Sequence, residues 1–130
     1  MNKKDFILRL LEALEPFLVH EDVLGELVGE LKQSGNEKAF LAVLAKRLKF
    51  LAAYGILSTT HEEFEPISDG IYSMHMSGQG FNIRILYGFL PSRRPALLVA
   101  FHERAGHSAT DYTGRAKIAA DRLAEMEESS

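Results

Sequence analysis

The sequence predicts an α+β protein in which N-terminal helices are followed by a small antiparallel β-meander sheet and a C-terminal helix. Two changes of periodicity support this class. Apolar residues recur at helical spacing up to about residue 54, and they then alternate with polar residues between about residues 71 and 90. Helical spacing returns near the C-terminus. Helices grouped apart from a run of strands are typical of α+β proteins.

Three helices are expected in the N-terminal part. Asp5 is a candidate cap for the first helix, which Pro16 should end or kink because its ring clashes with the preceding helical turn. The second helix carries an apolar stripe over residues 23–31. Asn36 can cap the third helix, which is expected to run from about residue 37 to residue 54.

Three strands should follow as a meander. Residues 71–76 and 81–90 have the composition and alternation of strands, and a glycine-containing turn separates them. Residues 96–102 form a continuous apolar run, which favours a central strand covered on both faces. A polar loop then leads to a closing helix over about residues 114–126. Its buried side is expected to hold Ala116, Ile118, Ala119, Leu123 and Met126.

Composition limits the possible functions. The 130 residues carry a net charge of −3 and no cysteine, so disulfides, thiolate zinc sites and cysteine nucleophiles are excluded. Neither a signal peptide nor an uncharged run long enough to span a bilayer is recognisable, and we expect a cytoplasmic protein without membrane contact. Residues 78–122 are locally basic, with seven Lys and Arg against three Asp and Glu: Arg84, Arg93, Arg94, Arg104, Arg115, Lys117 and Arg122.

The meander and the start of the last helix can bring several reactive side chains to one face. They are His75, Arg84, Arg104, His107, Asp111 and Tyr112. Imidazole and carboxylate groups can exchange protons near neutral pH, and guanidinium groups can stabilise a phosphate without titrating. Tyrosine can stack on a base or transfer a proton. This set suits metal-independent cleavage of an RNA phosphodiester.

Other interpretations of these residues remain open. Arg84 can simply pair with an acid across the sheet, and Tyr112 can seal the base of the last helix. A metal site would combine the 102–107 segment, which has a histidine at each end, with Asp111, but the spacing does not match a zinc-protease helix. His20 and His61 lie outside the cluster and are expected at the surface.

The order of these segments resembles the RelE/ParE toxin superfamily, particularly its phage-derived HigB-like branch. The resemblance rests on Arg84 in an Arg-hydrophobic-hydrophobic-Tyr strand, on Arg104 after the third strand, and on the Asp111-Tyr112 pair near the last helix. It covers residues 36–126. The chain is accordingly expected to be one RelE-like domain over residues 1–130, in which residues 1–35 form a helical extension.

The resemblance implies the toxin of a type II toxin–antitoxin system, an endoribonuclease that cuts mRNA on the ribosome without a cofactor. The implied partners are a cognate antitoxin, expected to be a helix-turn-helix protein, the ribosome and mRNA. Where the family carries lysines, this chain has Ser73 and His75, so His75 is expected to replace them in proton transfer. RNA contacts are expected from Arg93, Arg94, Arg115 and Lys117. The alternatives are a ParE-like toxin that binds a target such as DNA gyrase, or a degenerate toxin retained for antitoxin binding.

Overall fold

Three α-helices dominate the N-terminal part of the computed structural model, which describes residues 1–32, 34–103 and 109–129, the side chains of residues 109–111 excepted. They are α1 (Lys3–Leu14), α2 (Val23–Leu31) and α3 (Glu37–Tyr54), and a 3₁₀ helix (Gly55–Thr60) follows α3. The strands and the closing helix are β1 (Leu18–Val19), β2 (Phe64–Ser68), β3 (Ile71–Gly78), β4 (Phe81–Phe89), β5 (Pro95–His102) and α4 (Ala109–Ser129). The predicted α+β layout of N-terminal helices, sheet and C-terminal helix is confirmed.

The predicted cap of α1 is wrong, and the predicted cap of α3 is right in position only. Asn2 caps α1 instead of Asp5, because its side-chain oxygen accepts a hydrogen bond of 2.8 Å from the backbone N–H of Asp5. Asp5 lies in the first turn, where a negative charge complements the helix dipole. Asn36 precedes α3 but makes no capping hydrogen bond. Its side-chain amide donates instead to the carbonyl of Gly80 in the β3–β4 turn, which ties α3 to the sheet.

The sheet has the strand order β1-β5-β4-β3-β2. The four strands from β2 to β5 pair antiparallel in sequence, so the predicted meander is confirmed and gains one strand, β2, at its start. β1 adds a parallel pair at the other edge, where Leu18 lies opposite Ala96. Neither β1 nor β2 was predicted. β1 has two residues, too few for a recognisable alternation, and β2 contains Pro66, which suits an edge strand because proline has no N–H to donate.

One face of the sheet packs against α1, α2 and α3. Phe6 and Leu27 from the first two helices, Phe40 from α3 and Ile83 and Ile85 from β4 belong to one buried hydrophobic cluster. The first thirty residues are thus part of the same core as the meander. Burial of this apolar surface is the main force that holds the helices on the sheet.

α4 packs on the opposite face of the sheet. Its Ala119 is fully buried in a second cluster with Leu86, Leu98 and Phe101, so β5 is covered on both sides as predicted. Ile118 was expected on the buried side, but it is 42 % exposed. The buried positions of α4 follow the three- and four-residue spacing of one helical stripe, and Ile118 falls beside that stripe. No helix among the described residues is both long enough and apolar enough to cross a membrane.

Side chains complete the outer edge of β5 where the short β1 ends. Nη1 of Arg122 donates to the carbonyl of Leu98 at 2.8 Å, and Oε1 of Glu26 accepts a hydrogen bond of 3.0 Å from the N–H of Ala100. These backbone groups would otherwise be unpaired along an open sheet edge. Arg122 and Glu26 therefore pair backbone groups in the second half of β5 that a longer β1 would otherwise pair.

The two histidines expected at the surface are not there. His20 is only 7 % exposed: its Nδ1 accepts a hydrogen bond from the N–H of Asp22, which leaves Nε2 to donate to Glu125 of α4 at 3.0 Å. His61 is half-buried against aromatic rings, with its centroid 4.9 Å from that of Phe50. The burial of His20 could not be read from local periodicity, because its partner Glu125 is distant in sequence.

Candidate active site

His75 and Arg84 lie directly opposite each other on β3 and β4. Their sequence neighbours, Met74 and Met76 on β3 and Ile83 and Ile85 on β4, are fully buried against the N-terminal helices. Because side chains alternate along a strand, His75 and Arg84 project from the other face, on the side of α4. The predicted convergence of these two residues is therefore seen in the register of the sheet.

Arg84 is held by three side chains. Its Nε donates to Oε2 of Glu103 at 2.6 Å, and its Nη1 donates to Oε1 of Glu65 at 3.1 Å and to Oγ of Ser73 at 3.0 Å. The arginine side chain is 14 % exposed. Its charge is thus balanced by two carboxylates, one from the edge strand β2 and one from the residue that follows β5.

Glu103 connects most of the cluster. Its Oε2 faces Arg84, its Oε1 accepts a hydrogen bond of 3.0 Å from the Tyr112 hydroxyl, and Nε2 of His75 lies 4.0 Å from Oε2. Burial acts to raise the pKa of Glu103, but the hydrogen bond and charge of Arg84, helped by Tyr112 and His75, lower it below the ordinary value. Glu103 is consequently ionised at neutral pH.

His75 lies between an amide and two carboxylates. Nε2 hydrogen-bonds Oδ1 of Asn82, and Nδ1 lies 2.9 Å from Oε2 of Glu63. Asn82 is itself fixed, because its amide donates to the backbone carbonyl of Glu103 at 3.1 Å. The backbone carbonyl of His75 accepts a hydrogen bond from Nε of Arg47 on α3. The ring is therefore oriented at both nitrogens, and carboxylates flank it as they would flank a proton-transferring imidazole.

Tyr112 reaches the cluster from the first turns of α4. Its ring lies 5.6 Å from the Arg84 guanidinium carbon and packs edge-on against Phe101, while its hydroxyl donates to Glu103. Burial is the main cause that raises the pKa of the Tyr112 phenol, and the hydrogen bond to the Glu103 carboxylate adds to it. The phenol stays protonated at neutral pH and acts as a hydrogen-bond donor.

The other predicted site residues divide into two groups. Arg104 and His107 lie outside the described residues, as does the side chain of Asp111. Arg93 and Arg94 lie in the β4–β5 turn, at the end of these strands remote from Arg84 and about 20 Å away by strand geometry. The structure does not bring this pair to the cluster.

Two basic residues of α4 lie nearer to it. The Arg115 guanidinium lies over the ring of Phe101 at 4.7 Å, and Lys117 is exposed beside a groove between β2 and α4. Tyr112 lines the same groove together with Ile67, so the groove shares one residue with the cluster. Of the expected RNA-contacting residues, this α4 pair is therefore the one that lies beside Phe101 and Tyr112, the neighbours of Arg84.

Sequence reasoning missed the acidic side of the site. Glu63, Glu65 and Glu103 surround His75 and Arg84, and none of the three was among the predicted site residues. The missing signal was the strand β2, which carries Glu65 directly opposite Ser73. A segment containing Pro66 does not indicate a strand by itself, and apolar and polar residues do not alternate along Phe64–Ser68.

The described part of the chain contains no group of three His, Asp or Glu residues arranged to hold a metal ion. The metal site considered from the sequence needs His107 and Asp111, which are outside the described residues and side chains. The cluster can donate and accept protons through His75 and Glu103, and it presents a cation, Arg84, and a protonated phenol, Tyr112. Comparison of the chain with models of known protein families, with curated proteins and with solved structures found no match.

Proposed function

We propose that the protein is a metal-independent endoribonuclease that cleaves mRNA on the ribosome, and that it is the toxin of a type II toxin–antitoxin pair. The observation that carries this proposal is the continuous cluster of His75, Glu103, Arg84 and Tyr112 on one face of the sheet. The resemblance to the RelE/ParE superfamily supplies the class of substrate, and it remains a prediction.

The cluster offers what cleavage at a 2′-hydroxyl requires. One group must take the proton of the 2′-hydroxyl, another must protonate the leaving 5′ oxygen, and a cation must stabilise the pentavalent phosphate. His75 and Glu103 are the proposed proton-transfer pair, because both are oriented by hydrogen bonds and lie close together. Arg84 is proposed to bind the phosphate, and Tyr112 to position Glu103. Arg104, His107 and Asp111 keep their proposed places in the same site.

The cellular setting follows from the same proposal. A ribosome-dependent nuclease works in the cytoplasm, and a chain of this kind needs a cognate antitoxin to restrain it. The proposed antitoxin is a helix-turn-helix protein. Arg115 and Lys117 are proposed to guide RNA into the site, since they lie on α4 next to Tyr112. Arg93 and Arg94, at the other end of the hairpin, are proposed to contact RNA of the ribosome.

A second candidate is a non-enzymatic toxin that binds and blocks a target such as DNA gyrase, or a degenerate relative kept for antitoxin binding. The observation that favours it is the charge of the cluster. Among the described residues, Glu63, Glu65 and Glu103 outnumber Arg47 and Arg84, the arginines that pair with them, and such a balance opposes the approach of RNA.

The two candidates can be separated in cells and in a ribosome assay. We would induce the wild-type chain briefly and map transcript ends, alongside Arg84→Lys and the matched control Arg9→Lys. The first change keeps the positive charge beside Glu103 but removes the guanidinium fork, and the second makes the same change at an exposed residue of α1 that has no proposed contact with RNA. The expected result is cleavage within translated codons that falls about 100-fold in Arg84→Lys alone.

Three other results would contradict the nuclease proposal or the role of Arg84 in it. Intact messages with blocked DNA supercoiling would support the binder, and the absence of any growth defect would support the degenerate toxin. Equal cleavage by Arg84→Lys and Arg9→Lys would show that the phosphate is bound by other residues. Circular dichroism of the purified variants would establish that each is folded.

A further inference from the structure

The two carboxylates on Arg84 differ in how firmly they are held. Glu103 is 23 % exposed and also accepts the Tyr112 hydrogen bond, whereas the Glu65 side chain is 52 % exposed. Glu65 comes from the edge strand β2, and Arg84 is its one ion-pair partner among the described residues. Glu65 is therefore the outer and more easily displaced of the two acids.

The position of Glu65 coincides with the place that a phosphate would take. Arginine binds phosphate best through two parallel N–H donors. Glu103 occupies the Nε side of the Arg84 guanidinium, so a phosphate would have to bind at the edge formed by Nη1 and Nη2. Nη1 is engaged by Glu65 and by Ser73, and within the described part of the chain Nη2 makes no hydrogen bond. A phosphate that binds both terminal nitrogens must first remove the Glu65 carboxylate.

We propose that Glu65 is a displaceable occupant of the phosphate site, which holds Arg84 until a phosphodiester of single-stranded RNA takes its place. This rests on the proposed function for the identity of the ligand. Exposed ion pairs are weak, so a ligand that makes further contacts can displace Glu65, while a small free anion competes poorly. Glu65 thus selects for a ligand with contacts beyond one phosphate, and the groove beside Tyr112 and Lys117 is where such contacts would form.

The test is a binding titration that does not depend on cleavage. The probe is a short fluorescein-labelled single-stranded RNA whose 2′-hydroxyls are methylated, followed by fluorescence anisotropy at low salt. The variant is Glu65→Gln and the matched control is Glu62→Gln, which makes the same charge change at an exposed residue three positions earlier. Glu65→Gln is expected to tighten binding about three- to tenfold relative to Glu62→Gln. Inorganic phosphate should compete for the probe more effectively in Glu65→Gln than in the control.

A third comparison shows whether the tighter RNA binding of Glu65→Gln depends on Arg84. Adding Arg84→Gln to Glu65→Gln should abolish the gain in affinity, and Arg84→Met, which also removes the charge, serves the same purpose if the glutamine variant does not fold. Equal affinities of Glu65→Gln and Glu62→Gln, or a gain that survives loss of Arg84, would overturn the role of Glu65. Weaker binding by Glu65→Gln would overturn it as well, because Glu65 would then assist the ligand.

The result also separates this inference from the proposed function. If Arg84→Gln weakens RNA binding while the two glutamate variants bind alike, the phosphate site stands and the displacement of Glu65 is wrong. If Glu65→Gln binds more tightly through Arg84 but the wild-type chain cuts no message on ribosomes, the displacement stands and the nuclease is wrong. If loss of Arg84 changes nothing in either background, both are wrong.

Discussion

Arg122 of α4 and Glu26 of α2 form a two-point ion pair, with Nη1 3.1 Å from Oε1 and Nη2 3.0 Å from Oε2. Each partner also bonds a backbone group of β5, so the pair joins two helices and a sheet edge at one place. The side chains are 15 % and 25 % exposed, and charges at this depth depend on each other for solvation.

Arg122→Met should lower the free energy of unfolding by about 2–4 kcal/mol, because Glu26 keeps its charge and loses its main partner. Urea unfolding at pH 7 would measure the change. Lys117→Met on the exposed side of α4 is the control and should change the free energy by less than about 0.5 kcal/mol. A loss no larger than that of the control would mean that the pair contributes nothing to holding α4 in place.

Tyr87→Phe tests the buried hydrogen bond of 2.6 Å between the Tyr87 and Ser58 hydroxyls. Loss of the phenol oxygen leaves the Ser58 hydroxyl buried without its partner, and we expect a cost of about 1–2 kcal/mol at pH 7. Tyr54→Phe is the matched control, because Tyr54 is 52 % exposed. A Tyr87→Phe protein as stable as the Tyr54→Phe protein would contradict the expectation.

The same Tyr87→Phe variant makes a prediction at alkaline pH. Burial raises the pKa of Tyr87 from 10.0 to about 12, although the Ser58 hydrogen bond acts in the opposite direction. Below pH 10 the Tyr87 phenol is neutral in both the folded and the unfolded state, so its raised pKa does not reduce stability. As the pH rises from 10 to 12, the phenol ionises only in the unfolded state, and this lowers the free energy of unfolding. The wild type should therefore lose roughly 2–3 kcal/mol more than Tyr87→Phe between these pH values. Parallel pH profiles of the two proteins in urea unfolding would refute this.

Glu103→Gln should change how the free energy of unfolding depends on pH in the acid range. The pKa of Glu103 is lowered because Arg84, Tyr112 and His75 outweigh the opposing effect of burial. The stabilisation that the Glu103 carboxylate contributes is present above pH 4.5, the ordinary pKa of a glutamate, and is lost as the pH falls through the lowered pKa. The wild type should be more stable than Glu103→Gln at pH 7, and the difference should shrink below about pH 4.5. Glu62→Gln is the control, and an unchanged difference at pH 3 would contradict the assignment.

Gly88→Ala should be destabilising by about 1–3 kcal/mol. A Cβ at residue 88 would lie 2.9 Å from a methyl carbon of Leu123 and 3.0 Å from the backbone oxygen of Gly70, and that oxygen cannot move without shifting the turn before β3. The matched change is Gly29→Ala in α2, where a Cβ meets nothing within 4 Å. It should be stabilising by about 0.5–1 kcal/mol, since alanine favours a helix interior. Thermal unfolding of both proteins would measure the signs, and equal signs would contradict the account.

Local pattern was enough to predict the meander and the face on which Arg84 lies. The alternation of residues 81–90 fixes which side chains are buried, and the register then places His75 opposite Arg84. Pattern was not enough for β1 or His20, because their partners are distant in sequence. It was not enough for β2 either, because a segment that contains Pro66 does not have the pattern of a strand. The partners of Arg84 illustrate this limit: Glu65 and Glu103 approach it only after the four strands β2 to β5 have paired.

The charge predicted for the site from the sequence was also incomplete. Counting charges along residues 78–122 indicated a basic face, but two of the acids that meet it, Glu63 and Glu65, come from outside that window, and Glu103 was counted only as one of three acids within it. Glu63 and Glu65 lie in a part of the chain that is acidic in composition. Charge balance at a folded site is a property of neighbours in space, and a sum over consecutive residues does not report it.

The parallel pairing of Leu18 with Ala96 has a consequence for how the chain assembles. These partners are far apart in sequence, and closing so large a loop is entropically costly before its contacts form, so this step belongs late in folding. During synthesis β1 leaves the ribosome long before β5, and β5 must enter between β1 and β4 to complete the sheet. A chain released before residue 95 lacks the strand that both neighbours need. Its two open edges would make such a fragment prone to aggregation and a substrate for cellular quality control.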